Sequence, residues 1–161
     1  MTQQSAAVIV SHPPDAILRV VNPILRSLLR TPLMGAARRE LMVVSFNGRK
    51  TGRRYSVPVS AHDIDGQLYA LTGRPWGRNF RNGTTADVLH DGKTTAMHGD
   101  LIEDPAAVAD LYHRSAESYG AKTAQRMMGM KFRDPGVPSL EDFSEVVGRE
   151  KLAAIRLTPA G

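Results

Sequence analysis

The densest chemistry in this sequence lies in Asn47-Gly48-Arg49-Lys50-Thr51-Gly52-Arg53-Arg54, where glycines bracket a run of cations between two strand-like segments. Residues 49–54 carry four cations, the segment Arg74-Pro75-Trp76-Gly77-Arg78-Asn79-Phe80-Arg81 carries three more, and neither holds a carboxylate. Together they hold +7 in a chain of net charge +5, which leaves −2 for everything else. A focused positive field raises the local concentration of an anionic ligand. Gly48 and Gly52 can adopt backbone angles closed to other residues, so successive N–H groups could converge into an anion-binding nest. Arg49, Arg53 and Arg54 offer planar forks for phosphate or carboxylate, and Lys50 a mobile point charge. The competing reading is a solvated hairpin tip whose cations blunt a sheet edge. The pattern is not a Walker loop, since GxxxxGK[ST] is absent.

The second basic segment adds flat and polar groups. Trp76 is the sole tryptophan; its ring either stacks on a heterocycle or a guanidinium, or plugs the core at a strand end. Asn79 suits a local cap or turn as well as a ligand contact. No nucleophile and base form a recognisable pair, because Ser45, Ser56 and Ser60 lie in strand-like runs without a nucleophile elbow. The five histidines (His12, His62, His90, His98, His113) are scattered without HExxH spacing, so no metal site is predicted. Without cysteine the chain has no thiol nucleophile, disulfide or zinc-thiolate site, which suits a reducing cytoplasm. An enzyme built from these residues would take its chemistry from a cofactor.

The elements that must position these residues follow from periodicity. Residues 41–46 form an apolar run ended by Asn47-Gly48, and Tyr55, Val57 and Val59 then alternate with Ser56, Pro58 and Ser60. A strand, a turn and a strand therefore carry the basic loop. Pro58 lacks a ladder donor and belongs at an edge or a bulge. Asp65-Gly66 before residues 67–72, and Asp91-Gly92 between 86–90 and 94–97, read as two-residue hairpin turns. Such tight turns join antiparallel neighbours and argue against a doubly wound parallel sheet. Asp104-Pro105 opens a helix with Asp104 as N-cap; Val108, Leu111, Tyr112 and Ser115 mark one face, and the pattern continues past a break near Gly120 to Met128. Ser139 caps a short helix to Val147, and residues 152–157 form a closing strand.

Upstream, residues 15–29 place Ile17, Leu18, Val21, Ile24, Leu25 and Leu28 at helical spacing, interrupted by Pro23 and stopped near Pro32. This amphipathic helix, over 14–31, either packs on the domain or associates peripherally with an anionic membrane through residues 15–30; residues 1–13 read as a flexible tail. At 161 residues the chain fits one domain. The expected architecture is α+β: a mostly antiparallel sheet or barrel of about six strands, with an N-terminal helix and a helical insert before the last strand. No apolar stretch approaches the ~20 residues that span a bilayer, and residues 1–9 lack the pattern of an export signal, so a soluble or peripheral protein is expected.

Gly48-Arg49-Lys50-Thr51-Gly52, followed six residues later by Pro58, resembles the G-R-K-[ST]-G…P signature of flavin/deazaflavin oxidoreductases related to the deazaflavin-dependent nitroreductase. Pro75-Trp76-x-x-Asn79-Phe80 is similar to that family's P-x-W/W-x-x-N-[LF] element after the third strand. The resemblance runs from about Asn22 to Pro159. It implies a split β-barrel of the FMN-binding type, a cytoplasmic location that can be peripheral to the inner face of the membrane, and binding of coenzyme F420 or, in some branches, FMN. By motif match Gly48, Arg49, Lys50, Thr51 and Gly52 would meet the cofactor phosphate, with Arg53, Arg54 and Arg78 near an anionic tail, and Pro58, Trp76 and Asn79 lining or bracing the groove.

F420 carries a phosphate and an oligoglutamate tail, so an excess of cations favours it over FMN. The implied activity is hydride transfer from reduced F420 to a small electron-poor acceptor such as a quinone, an enone or a nitro compound; an FMN-dependent oxidoreductase and a non-catalytic F420-binding protein are the alternatives. Tyr55, Ser60, Tyr119 or solvent would supply the accompanying proton. The chain departs from the nitroreductase pattern at Tyr55, where relatives carry a second arginine. Its substrate region is also thin in aromatics, with Tyr112 and Tyr119 beside Met127, Met128 and Met130. The split-barrel class implies a homodimer by analogy. Nucleic-acid binding is not expected, since no stacking series or reader motif accompanies the basic segments.

Overall fold

A computed structural model describes residues 6–10, 39–73 and 75–160. The amphipathic helix expected over 14–31, its membrane-facing alternative over 15–30, and Arg74 lie outside the described residues. In chain order the strands are β1 (Val8–Val10), β2 (Leu41–Asn47), β3 (Arg54–Ser60), β4 (His62–Ile64), β5 (Gln67–Thr72), β6 (Thr84–His90), β7 (Lys93–Ile102), β8 (Met130–Phe132) and β9 (Ala153–Pro159). The described helices are α1 (Pro105–Tyr119), α2 (Ala121–Met128) and α3 (Leu140–Glu150), and a 3-10 segment covers Pro75–Phe80.

The architecture is α+β, and every described strand pairing is antiparallel. Seven strands form one sheet in the order β3-β2-β6-β7-β9-β5-β4, and β1 pairs with β8 in a separate two-stranded sheet. The expected count of about six strands is therefore corrected. The additional strand of the large sheet is β4, which the sequence hides because only Ala61 separates it from β3. That one residue joins the two terminal strands of the sheet order, so the sheet must curl until its edges approach each other. The Ala61 N–H donates to the Glu40 carbonyl (2.8 Å) at this corner.

The tail expected over 1–13 is also corrected in part. Val8–Val10 form a strand whose register sets Val8 against Phe132 and Val10 against Met130, and Val8 is fully buried. The Arg149 side chain on α3 donates to the Val8 carbonyl (2.5 Å), which fixes this segment to the helical layer.

Local chemistry explains the remaining elements. Asp65 and Gly66 have φ of 54° and 80°, and Asp91 and Gly92 have 52° and 76°, so both hairpins turn through paired left-handed residues as their composition requires. Pro58 sits on β3, an edge strand that pairs only with β2 among the described residues, so its missing N–H breaks no ladder. Asp104 accepts from the Ala107 N–H (3.0 Å) with Pro105 in the first turn of α1, and Ser139 and Asp142 form a reciprocal capping box on α3.

Two apolar clusters divide the interior. One fills the concave side of the curled sheet with Met42, Val44, Phe46, Ala70, Phe80, Val88, Ile155 and Leu157, and Trp76 packs against it. The other joins Val108, Tyr112, Phe143, Val146 and Val147 of the helices to Val8 and Met130. Ile64, Leu111 and Ala154 connect the helical layer to the sheet.

Candidate functional site

The structure joins the two basic segments of the sequence. The Asn79 side chain accepts from the Arg49 N–H (3.0 Å) and donates to the Trp76 carbonyl (2.8 Å), while the Arg49 guanidinium donates to the Arg78 carbonyl (3.2 Å). Asn79 is thus a brace between loop and 3-10 segment, and both its amide oxygen and its amide nitrogen are engaged in that role.

The loop itself differs from a converging nest. The Gly48 N–H donates to the Arg53 carbonyl (2.7 Å), the Gly52 N–H to the Gly48 carbonyl (2.9 Å), and the Arg53 N–H to Thr51 Oγ1 (3.3 Å). With the Arg49 N–H on Asn79, these four amides are committed to holding the loop, which leaves the Lys50 and Thr51 N–H groups and the side chains to meet an anion. Gly52 has φ of 72°, which the turn requires. Gly48 is needed for another reason: a Cβ there would lie 2.7 Å from the Tyr55 ring.

The six described cations of the two segments do not act together. Arg54 pairs with Asp87 on β6 (2.5 Å), and Arg81 forms a two-point pair with Glu103 (2.7 and 3.1 Å) that holds the Glu103 carboxyl below its ordinary range. Arg78 borders a separate cavity with Arg81, Glu103, Glu150 and Lys151. Arg49, Lys50 and Arg53 remain exposed at the loop, and no described carboxylate pairs with them. Arg54 is thus paired with a β6 carboxylate and Arg78 borders a second cavity, which leaves Arg49, Lys50 and Arg53 as the loop's cations without a described carboxylate partner.

From the loop, β3 leads along the sheet edge to an apolar cavity of about 230 Å³. Val57, Pro58, Val59 and Ser60 form its β3 wall, Trp76 its end towards the loop, and Met127, Met128 and Met130 the opposing wall. Trp76 takes the core role, its ring stacking on Phe46 (centroids 5.8 Å apart, 24° between planes) with Phe80 edge-on (6.0 Å), and the residue also lines this cavity. Of the proposed proton donors, Ser60 lines the cavity, whereas Tyr55 is exposed over Phe46 and Gly48. Tyr119 stands behind the wall, its hydroxyl 2.8 Å from His62 Nδ1.

His62 was not selected from sequence, because a single histidine in a three-residue strand has no motif around it. It is 2% exposed, lines the cavity, and burial lowers its pKa to about 4, so the imidazole is neutral at pH 7. Burial also raises the pKa of Tyr119, opposed by the neighbouring Ser115 hydroxyl, and raises that of Tyr112, whose hydroxyl faces the Ala153 carbonyl (3.4 Å). Arg126 at the cavity rim forms a two-point pair with Glu40 (2.7 and 3.2 Å), and its hydrogen bond lowers the Glu40 pKa. Among the described residues no helix is long and apolar enough to cross a membrane, and no three His, Asp or Glu side chains form a metal-holding group.

No family model matches the chain, and no curated protein does. Among solved structures, the chain is similar to the conserved hypothetical protein Rv2991 from Mycobacterium tuberculosis, at 14% identity over 99% of this chain and 87% of that one, with a TM-score of 0.48. A structure described as a domain-swapped dimer is similar at 14% identity over 91% of this chain and 100% of that one, with a TM-score of 0.44.

Proposed function

We propose that the protein is a deazaflavin-dependent reductase of split-β-barrel type that binds F420 along the β3 edge and reduces a small electron-poor acceptor such as a quinone, an enone or a nitro compound. The observation that carries this reading is the continuity of two unlike environments on one strand: exposed Arg49, Lys50 and Arg53 at its start, and an apolar, Trp76-walled cavity along its far half. Four residue steps of strand lead from Arg54 to Pro58, roughly 13 Å, a span suited to an elongated cofactor with an anionic end and a flat end. The donor set fits the anionic end, because its cations lack carboxylate partners among the described residues and the loop beneath them is held rigid by Asn79.

Lys50 and the Arg49 and Arg53 forks would hold the phosphate, and Trp76 and Pro58 would confine the ring. When bound, reduced F420 supplies the hydride; this chain's residues bind, orient and keep water from the reacting face. Ser60 is the hydroxyl best placed to deliver a proton, since it lines the cavity.

One observation favours FMN as the second reading. With Arg54 on Asp87 and Arg78 bordering a second cavity, the cations left at the loop suit one phosphate as well as they suit an oligoglutamate tail. Titration of the protein with F420 and with FMN, followed by fluorescence, decides between them. Saturable micromolar F420 binding with oxidation of the reduced cofactor by menadione supports the first reading; flavin binding alone supports the second, and tight F420 binding without turnover identifies a carrier. Binding of neither overturns the proposal.

A further inference from the structure

The cavity beside β3 is apolar on most of its wall, yet His62 contributes an imidazole to it that is almost wholly removed from water. A buried polar group needs a partner, and the partners here are unequal. Nδ1 lies 2.8 Å from the Tyr119 hydroxyl. Ser115, one turn earlier on α1, is itself buried and lies beside this phenol. A phenol is the stronger donor of the two and an unprotonated imidazole nitrogen the stronger acceptor, so this contact favours the phenol proton on the Nδ1 side and the imidazole proton on Nε2. No described residue accepts from Nε2.

We propose that His62 presents its Nε2–H to the cavity as the hydrogen-bond donor that selects a flat, neutral ligand bearing a carbonyl oxygen, with Tyr119 as the positioning residue that fixes this tautomer. The chemistry of the walls narrows the ligand. Val57, Val59, Met127 and Met128 offer contact and no charge, and methionine side chains adapt to rings of differing outline. Arg126 at the rim is already paired with Glu40. Burial keeps the imidazole uncharged, so the site supplies a dipole for a carbonyl and no counter-charge for a carboxylate. The volume of about 230 Å³ admits roughly one or two fused rings, the size of an acceptor, so the three-ring deazaflavin would lie at its Trp76 and Pro58 edge rather than inside it. A hydrocarbon of the same shape would leave the buried donor unpaired and is discriminated against for that reason.

This inference rests on the part of the proposed function that makes the cavity a binding site, and it needs no cofactor. The test uses the full chain without F420 or FMN. Calorimetric binding of 2-methyl-1,4-naphthoquinone is compared with that of 2-methylnaphthalene, which keeps the rings and lacks the carbonyls. Wild type is expected to prefer the quinone by roughly 10-fold or more, and His62→Phe to lose the preference while retaining hydrocarbon binding.

Should His62→Phe fail to fold, Tyr119→Phe keeps the ring at a half-buried position and is read by nitrogen-15 NMR of labelled histidine. The wild-type spectrum should show the Nε2–H tautomer at His62, and Tyr119→Phe a mixture of tautomers with a reduced quinone preference. Equal binding of the two probes, binding of neither, preference retained in His62→Phe, or a wild-type Nδ1–H tautomer overturns the proposal. Failure of F420 to bind would overturn the cofactor reading and leave this preference intact.

Discussion

The two ends of strand β3 show opposite solutions to the same electrostatic problem. In the loop before Arg54 the chain leaves Arg49, Lys50 and Arg53 in water, where charge is cheap to keep and is screened within about 8–10 Å. At Ser60 the next polar side chain, His62, is withdrawn from water and keeps no charge, with its pKa near 4. A few residues of strand thus separate a charged site from a neutral one, and burial, more than residue type, sets the difference. A ligand lying along this edge would meet both environments in sequence, anion first and ring last.

The sharpest way to break this comparison is to remove the ring that stands between the two ends. Trp76→Ala deletes the partner stacked on Phe46 and opens the cavity towards the loop. The expected loss of stability is about 3 to 4 kcal/mol, read from denaturant midpoints, together with loss of cofactor binding. If stability falls by less than about 1 kcal/mol, Trp76 is a cavity wall only and not a part of the core.

The neutral end is tested by acid. The folded-state pKa of His62 is lowered from 6.5 to about 4, so between those values the unfolded chain takes up a proton that the folded chain refuses. Stability is full above pH 6.5 and declines as pH falls towards 4, by about 3 kcal/mol in total. Thermal unfolding followed from pH 7 to pH 4.5 should show this slope in wild type and lose it in His62→Gln. The same slope in both proteins would place the titration elsewhere.

The charged end is tested through binding. Lys50→Ala is expected to weaken F420 affinity roughly 10- to 100-fold, the effect of one charge-assisted bond, while the melting temperature stays where it was. A stability loss with unchanged affinity would return the loop to a solvated hairpin tip.

How much of this was legible in the sequence depended on distance along the chain. The Asp65-Gly66 and Asp91-Gly92 turns, the Asp104 and Ser139 caps and the edge position of Pro58 are each set by residues within a few positions, and each was readable. The pairing of Val8–Val10 with Met130–Phe132 was not, because three-residue strands leave no periodic signal and their register is fixed by the helical layer between them. The site divides in the same way. The basic motif and Trp76 could be read, whereas Arg54–Asp87 and His62–Tyr119 join residues 33 and 57 positions apart. A cation run in a sequence therefore sets an upper bound on the field, which distant carboxylates then reduce.

That last point yields the smallest and most discriminating prediction. Arg81 and Arg54 both count towards the sequence charge, and both are half-exposed partners of a carboxylate. Arg81 lines the cavity on the other side of the 3-10 segment, so Arg81→Ala should leave F420 affinity within about 2-fold and the melting temperature within about 2 °C. Arg54 lies at the foot of the loop, and Asp87→Asn would release its guanidinium to join Arg49, Lys50 and Arg53. F420 binding should then tighten by roughly 2- to 3-fold at low salt and return to the wild-type value at high salt, as a screened surface charge requires. FMN, with its single phosphate, should respond less than F420. Equal responses of the two cofactors would show that the loop grips only the phosphate and that any anionic tail lies beyond its reach.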